Sequence, residues 1–390
     1  MKNDVIYVDN SATTAVSRRA LDAMLPCFTE CFGNPSSIYS HGREAKKALE
    51  ESRKKIAGAI GARNNEIFFT SGGTEADNWA IYSTCEQYAA KGKHIISTQI
   101  EHSAVLRPLE KLEARGYEIT RLVPDRRGMI HLEQLKAALR DDTVLVSIMT
   151  ANNVTGTVLP IGELCEAAHE RKALFHTDAV QAAGHIPIDV HALGVDMLSL
   201  SAHKFHGPKG TGALFVRLPL ILEPLLRGGG QEKGRRSGTE NVASIAGMAA
   251  ALEEAACHLD ENTAKVTALR DRLIDGILKI PGAALTGDPV QRLPGLASFV
   301  FDGLEGIAGQ GLIVKLDEAG ICASSGSACS AGAIDPPHPL TAMGYDGKLA
   351  RSALRISLCA YNTDEEIDVI LKLLPGIVEI TRTEQRSMSS

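Results

Sequence analysis

Two titratable side chains stand directly after apolar runs in this chain of 390 residues. Lys204 closes the sequence Ser201-Ala202-His203-Lys204, which follows one such run. Asp178 ends another run, and Gln181 stands three residues further along the chain. Lysine and aspartate are rarely buried, so a charge at the mouth of a buried strand is an unusual placement. These residues are therefore candidates for chemistry.

The residue types around Lys204 are those that a pyridoxal-phosphate enzyme needs. A lysine amine can carry the cofactor as a Schiff base, an acid such as Asp178 can hold the ring nitrogen, and Ser201 and His203 can bind a phosphate. Lys209 is the rival Schiff-base lysine, and Lys204 is favoured because it adjoins the strand end. The alternative for Lys204 is a surface side chain whose stem packs on apolar neighbours.

Strand-like and helix-like segments alternate up to about residue 260, where the composition changes. Such alternation predicts parallel β-α-β units and an open sheet of the α/β class. Ligands of these sheets bind at the carboxyl ends of the strands. Several polar side chains follow the predicted strand ends, and they are His102, Asn153, Asp178, Gln181, Ser201 and His203.

A turn rich in small residues, Ser71-Gly72-Gly73-Thr74-Glu75, separates a predicted strand from a helical pattern that resumes at Ala76. Exposed N–H groups at a helix N-terminus bind phosphate well. The alternative is an ordinary turn in which Thr74 caps the helix. A nicotinamide site is disfavoured, since no G-x-G-x-x-G sequence follows a strand.

Cys329 lies in a segment of almost wholly small residues, 323–333. Its neighbours lack the bulk to bury it, which favours a reachable nucleophile over an inert thiol in a tight loop. Cys322 follows Gly320-Ile321 in a strand-like position, and packing is the better interpretation for it. The remaining cysteines lie among helical or strand residues and are interpreted as packing residues without a chemical role.

Composition argues for an ordinary globular enzyme with free thiols. Apolar residues make up 44% of the chain, charged residues 23%, and the formal net charge is −6. An acidic balance disfavours a nucleic-acid surface, and no apolar stretch reaches the length of a membrane span. The eight cysteines show no C-x-x-C pair, and Met1-Lys2-Asn3-Asp4 lacks an apolar signal region. We therefore expect a cytoplasmic protein without nucleic-acid or membrane partners.

Seven short strings together resemble the NifS/IscS-type cysteine desulfurases, which belong to the aminotransferase class V group of fold-type I pyridoxal-phosphate enzymes. The strings are SGGTEADN, EHSAV, NNVTG, HTDAVQ, SAHKFHGPKG, RRSGTENV and SSGSACSAG, in this order. The resemblance implies an α/β fold, in which a large domain with a mostly parallel sheet flanked by helices joins a smaller α+β domain. The implied boundaries are 15–260 for the cofactor domain, and 1–14 with 261–390 for the small domain that carries the cysteine loop.

The same resemblance implies roles around pyridoxal phosphate. Lys204 would carry the cofactor, His102 would stack on its ring, and Asp178 would pair with the ring nitrogen. Thr239 would reach the phosphate of the partner subunit, which implies a homodimer. The full set of implied cofactor residues is Gly73, Thr74, His102, Asn153, Asp178, Gln181, Ser201, His203, Lys204 and Thr239.

The implied reaction converts L-cysteine to L-alanine and leaves a persulfide on Cys329. Arg355, with Asn10 and Asn153, would bind the substrate, and His102 would assist proton transfer. The sulfur would pass to an acceptor or an iron–sulfur scaffold protein, and Cys329 would touch the nascent cluster transiently. Asn153-Val154-Thr155-Gly156 departs from the commoner Asn-Glu-Ile-Gly, and the tail after the closing helix is short, which leaves the acceptor open.

Other functions stay open at this stage. A selenocysteine lyase or another class V enzyme would use the same cofactor residues. A catalytically inactive sulfur-carrier or scaffold-binding protein could have the same fold. The closing helix is predicted to begin at a capping box, Thr363 to Glu366. Pro375 is expected to interrupt that helix, and 382–390 are expected to fray.

Overall fold

The computed structural model describes residues 5–304, 308–326 and 335–389, so the predicted nucleophile Cys329 lies outside the described residues. Strands in these ranges are mostly short and buried. They are β1 (Ile6–Tyr7), β2 (Ile67–Thr70), β3 (His94–Thr98), β4 (Glu118–Leu122), β5 (Thr143–Ser147), β6 (Leu174–Asp178), β7 (Met197–Ser201), β8 (Gly212–Val216), β9 (Ala283–Thr286), β10 (Leu296–Phe301), β11 (Ile321–Cys322) and β12 (Leu354–Ser357).

A seven-stranded sheet organises the larger core, with the strand order β2-β8-β7-β6-β5-β3-β4. Strands β4, β3, β5, β6 and β7 are parallel to one another. Strand β8 runs antiparallel to β7, and the edge strand β2 runs antiparallel to β8. Parallel strands that are covered on both faces are rich in apolar residues, as β5 and β7 are. The mostly parallel α/β sheet expected from the sequence is confirmed, and the carboxyl ends of β3, β5, β6 and β7 share one edge.

Helices cover this sheet through amphipathic faces. In α5, for example, the buried side chains Val105, Leu109 and Leu112 recur at helical spacing. The helices are α1 (Arg18–Met24), α2 (Pro26–Thr29), α3 (Ser40–Ala59), α4 (Gly73–Gln87), α5 (Ser103–Glu113), α6 (Leu132–Ala138), α7 (Ile161–Glu170), α8 (Val190–Leu193), α9 (Val242–Cys257), α10 (Leu259–Ile277), α11 (Ala308–Glu318), α12 (His338–Ala342), α13 (Gly347–Ala350) and α14 (Asp364–Ser389).

Two small sheets build a second core. One has the antiparallel order β12-β10-β9, and the other pairs β1 with β11 in parallel. A cluster of buried apolar residues draws Val8 together with side chains of 266–378, including those of α10 and α14. The N-terminal strand thus packs with the C-terminal part of the chain, while the proposed boundaries at 14 and 260 stay a prediction.

The closing helix corrects two expectations. Thr363 and Glu366 form the predicted capping box, with N–H to side-chain distances of 3.1 and 3.3 Å. The helix then continues through Pro375 to Ser389, so the predicted interruption is wrong, and so is the predicted fraying as far as Ser389; Ser390 lies outside the described residues. Pro375 faces solvent, and burial of Ile370, Leu374 and Val378 on the same core holds both halves of the helix in line. The proline still costs one intrahelical hydrogen bond.

A membrane span finds little support in these helices. Within the described ranges, no single helix is long and apolar enough to cross a bilayer. Helices α9 and α10 meet that length and composition test only as a pair, and the pair is bent by 74°.

Candidate functional site

The turn between β2 and α4 forms a cradle of backbone N–H groups. Helix α4 begins at Gly73, three residues before the predicted start, and its N-cap Gly72 offers no side chain, so Thr74 is not the cap. Gly72 has φ +150°, and a Cβ on Gly73 would lie 2.6 Å from Val180 Cγ2. First-turn N–H groups have no acceptor inside the helix. Together with Ser201, whose Oγ lies 3.7 Å from the Cβ position of Gly72, this cradle fits a phosphate.

His203 stands beside this cradle as a neutral imidazole. Its Nδ1 lies 3.1 Å from Thr13 Oγ1, and its backbone carbonyl accepts from Thr14 Oγ1 at 2.9 Å. Burial, with the charges of Lys204 and Lys209, lowers the pKa of His203 to about 4. A neutral imidazole that is held at Nδ1 keeps Nε2 for a further hydrogen bond.

Lys204 and its rival Lys209 have different surroundings. Lys204 ends a short 3₁₀ helix (Ala202–Lys204) directly after β7, and its Nζ donates to the carbonyls of Ser11 and Ala12 at 2.5 and 2.9 Å. Gln181 Nε2 donates to the same Ser11 carbonyl at 2.9 Å. Lys209 is exposed in the turn before β8. Only the first of these two amines therefore points into the polar edge of the sheet.

Three buried carboxyl groups lie near the ends of β3 and β6. Burial raises the pKa of Asp178, while the charges of His102 and Lys204 oppose that rise, and Asp178 Oδ1 accepts from Val180 N at 2.9 Å. Burial raises the pKa of Asp77 well above its usual range, and the charges of Asp178 and Glu101 add to this. Burial also raises the pKa of Glu101 to about 8. Asp178, the carboxyl that feels two basic side chains, is therefore the one best placed to be anionic.

His102 caps α5 with its imidazole. Nδ1 accepts from Ala104 N at 3.1 Å, so the proton of a neutral ring lies on Nε2. The adjacent carbonyl of Glu101 accepts from His338 Nε2 at 2.9 Å, which joins α12 to the same turn. His102 thus stands at the carboxyl end of β3 and electrostatically close to Asp178.

Arg355 joins three separate segments of the chain. The side chain is 2% exposed, and Nη2 donates to Asp9 Oδ1 at 2.6 Å. Nη1 donates to the Asn153 carbonyl at 2.9 Å. Asn10, next to Asp9, uses its Nδ2 to reach the Ser357 carbonyl at 2.8 Å. The three residues that were predicted to bind substrate therefore meet beside the sheet edge.

Thr239 is the described residue that the chain does not bring to this site. It lies exposed in a glycine-rich segment, 228–241, which is held by two ion pairs. Glu232 accepts twice from buried Arg53, at 2.6 and 2.9 Å, and Arg236 donates to Glu75 in the first turn of α4 at 2.8 and 3.0 Å. The segment is thus tied to the phosphate cradle, with Thr239 directed elsewhere.

Several polar groups of the site were missed by sequence reasoning. Asp9 pairs with Arg355 across 346 positions, the carbonyls of Ser11 and Ala12 hold Lys204, and Asp77 and Glu101 are buried behind Asp178. Asp9 follows a short strand, which is the same signal that singled out Asp178. No local signal separates Asp77, a helical acid, from one that faces solvent.

The arrangement fits pyridoxal phosphate on the donor set alone. A backbone cradle with no room for a Cβ at Gly73 suits the phosphate, the buried acid Asp178 suits the ring nitrogen, and the amine of Lys204 lies close enough to Asp178 to act on its charge. The fold and the site together define an α/β enzyme of fold type I that uses pyridoxal phosphate as its cofactor.

Comparisons with known proteins agree. The family model for class V aminotransferases matches residues 6–370. A cysteine desulfurase IscS of Methanosarcina thermophila is 50% identical over 98% of this chain and 94% of its own length, and one of Clostridium botulinum is 46% identical over 99% and 96%. A solved structure of a NifS-like protein, 39% identical, superposes with a TM-score of 0.90 over 96% of this chain and all of its own. The chain belongs to the class V aminotransferase family, and within it to the cysteine desulfurases.

Proposed function

We propose that this chain removes sulfur from L-cysteine, releases L-alanine and stores the sulfur as a persulfide on Cys329. The observation that carries the proposal is that Lys204 and Asp178 lie close together at the sheet edge, while Lys204 and Arg355 both contact the turn after β1, at Ser11 and Asp9. The amine and the acid can hold the cofactor there, and the guanidinium can hold the substrate carboxylate. Bound pyridoxal phosphate supplies an electron sink for the α-carbon of the substrate.

The residues of the chain divide the remaining work. Asp178 holds a proton on the ring nitrogen, His102 covers the ring, and Arg355 binds the substrate carboxylate with Asn10 and Asn153 beside it. The free Lys204 amine takes the proton from the substrate α-carbon. The cradle of Gly73 and Thr74, with Ser201 and His203, anchors the phosphate.

The sulfur step balances without an external oxidant. The Cys329 thiolate attacks the substrate sulfur, an S–S bond forms, and the bond between that sulfur and the substrate Cβ breaks. The electron pair of the broken bond stays on carbon, which becomes the methyl group of L-alanine after protonation. The Cys329 persulfide then passes its outer sulfur to an acceptor or iron–sulfur scaffold protein in the cytoplasm.

A single-turnover experiment tests this proposal. Purified protein that carries its cofactor is mixed with L-cysteine without a reductant, and we expect one L-alanine per persulfide formed. Peptide mapping by mass spectrometry should find the added sulfur on Cys329. L-Alanine without a protein-bound sulfur, or a persulfide confined to another cysteine, would overturn the proposal. A parallel reaction with L-selenocysteine compares the two substrates directly.

The proposed homodimer is supported by a series of exposed apolar side chains between positions 21 and 39, which we call the α1–α3 patch. Exposed apolar surfaces of this kind mark association sites. Helices α1 and α3 pack on α9, which follows Thr239 directly, so a second copy that covers the patch would also approach that loop. The patch residues are Leu21, Leu25, Phe28, Phe32, Ile38 and Tyr39.

Charge placed in the α1–α3 patch is expected to separate the subunits. The double variant Phe32→Glu/Ile38→Glu should weaken self-association on the order of a thousandfold, because an unpaired carboxylate buried in an apolar contact is costly. It should also weaken cofactor binding, since Thr239 would no longer reach the partner's phosphate. Sedimentation equilibrium and cofactor titration measure both effects. Val290→Glu, which changes an exposed side chain outside the patch, is the control, and a double variant that stays dimeric would refute the assignment.

A further inference from the structure

Asp9 and Arg355 form an almost buried ion pair at the proposed binding point of the substrate carboxylate. The Nη2–Oδ1 distance is 2.6 Å, and the side chains are 2% exposed for Arg355 and 18% exposed for Asp9. The Asn153 carbonyl takes a second guanidinium donor at 2.9 Å. The guanidinium therefore has a carboxylate partner before any amino acid arrives.

The guanidinium also keeps an unused donor. Arg355 Nε is buried, and it has no acceptor among the residues that the structure describes. A buried N–H without an acceptor is unfavourable, so this atom points to a further polar partner. Arg355 can accordingly take a ligand while Asp9 still contacts Nη2.

We propose that Asp9 competes with the substrate carboxylate for Arg355. It is a positioning residue that holds Arg355 in place and lowers the affinity of its guanidinium for the amino acid. This inference rests on the proposed role of Arg355. Asp9 lies in the turn after β1, whose backbone is fixed by the pairing of Asp9 with Ser357 and by Ala12 N donating to the Asp9 carbonyl at 3.0 Å. Its carboxylate therefore stays near the guanidinium when a second carboxylate arrives, and the two anions repel each other.

Weak binding of the carboxylate is useful for turnover. Substrate and product carry the same α-carboxylate, so a tight grip would hold L-alanine as firmly as L-cysteine. Binding that is equal in the ground state and the transition state does not accelerate the chemistry. Asp9 thus fixes the geometry of Arg355 while keeping product release easy.

Binding of L-alanine to the cofactor-loaded enzyme tests the proposal without sulfur chemistry. We expect Asp9→Asn to lower the dissociation constant for L-alanine by about tenfold, because the ligand carboxylate then no longer competes with the Asp9 carboxylate for Arg355. The constant is read from the absorbance of the bound cofactor. The variant should also unfold at a lower temperature than the wild type, and L-alanine should restore much of the difference.

Controls separate charge competition from a general loosening of the fold. L-Alaninamide lacks the carboxylate, so its affinity should not improve in Asp9→Asn. Asp142→Asn changes a half-exposed carboxylate that pairs with Arg140 instead, at 2.7 Å, and should leave L-alanine binding unchanged. Unchanged or weaker L-alanine binding in Asp9→Asn would overturn the proposal. Arg355→Gln tests the substrate-binding role of Arg355 separately from the competition by Asp9. Normal L-alanine affinity in that variant would refute the proposed role of Arg355 itself.

The wild-type enzyme provides a test if Asp9→Asn does not fold. If Asp9 competes, the wild type should bind L-alanine less than about tenfold more tightly than L-alaninamide. A buried arginine without a competing carboxylate would favour L-alanine much more strongly. An advantage of a hundredfold or more in the wild type would overturn the proposal.

Discussion

Lys204→Ala is expected to lower the rate of L-alanine formation by at least about 10⁴-fold, because one change removes both the covalent attachment of the cofactor and a general base. The amine of Lys204 lies at the sheet edge, where it donates to the Ser11 and Ala12 carbonyls, and an alanine at this position offers no amine. Borohydride reduction followed by peptide mapping should place the cofactor on Lys204 in the wild type and should find no attachment in the variant.

Lys209→Ala is the matched control for this prediction. Lys209 lies five positions further along the chain but is exposed in a turn, and its removal should leave both the rate and the borohydride product unchanged. Attachment of the cofactor to Lys209, or normal turnover by Lys204→Ala, would contradict the assignment of the site.

Cys329→Ala is expected to lower sulfur release from L-cysteine by about 10³-fold or more, because the reaction loses the thiolate that attacks the substrate sulfur. Cofactor content and the absorbance of the bound cofactor should remain as in the wild type. Binding of L-alanine should also persist, since neither the cofactor nor Arg355 is changed. The measurements are sulfide release under reducing conditions, the absorption spectrum and an L-alanine titration.

Cys322→Ala is the matched control for the nucleophile. Cys322 is half-buried on β11, and its Sγ lies 3.8 Å from Asp317 Oδ1. Its replacement should leave sulfur release near the wild-type rate. If Cys322→Ala stops the reaction while Cys329→Ala does not, the persulfide is formed on the other thiol and the proposed step is wrong.

Local patterns in the chain were sufficient to predict most of the elements that carry the site. The strands His94–Thr98, Gly212–Val216 and Leu296–Phe301, for example, are short segments rich in apolar residues, and such segments favour strands. Because parallel strands bring their carboxyl ends to one edge, the residues that follow them had to lie close together. The strand pattern therefore predicts that Asp178 and Lys204 lie close together.

Periodicity and residue preference failed where tertiary packing outweighed them. Pro375 was expected to break α14, yet the apolar face on either side of it is buried on one core, and the proline lies on the solvent side. Glycines 72 and 73 were predicted to lie in a turn before the helix, but Gly73 itself begins α4, at a point where Val180 leaves no room for a Cβ. Local preferences are weaker than the burial of a whole helix face.

The amino-acid sequence by itself determined the class of fold, the cofactor chemistry and the order in which polar residues follow the strands, because these depend on local spacing and residue type. Only the tertiary structure decided which distant groups meet: Arg355 with Asp9 and Asn153, and Arg53 with Glu232 across 179 positions. Contacts between residues so far apart depend on how the sheets and helices pack, and no periodicity along the chain encodes them. For that reason the counter-ion of Arg355 emerged from the fold, whereas Lys204 could be identified from its neighbours in sequence.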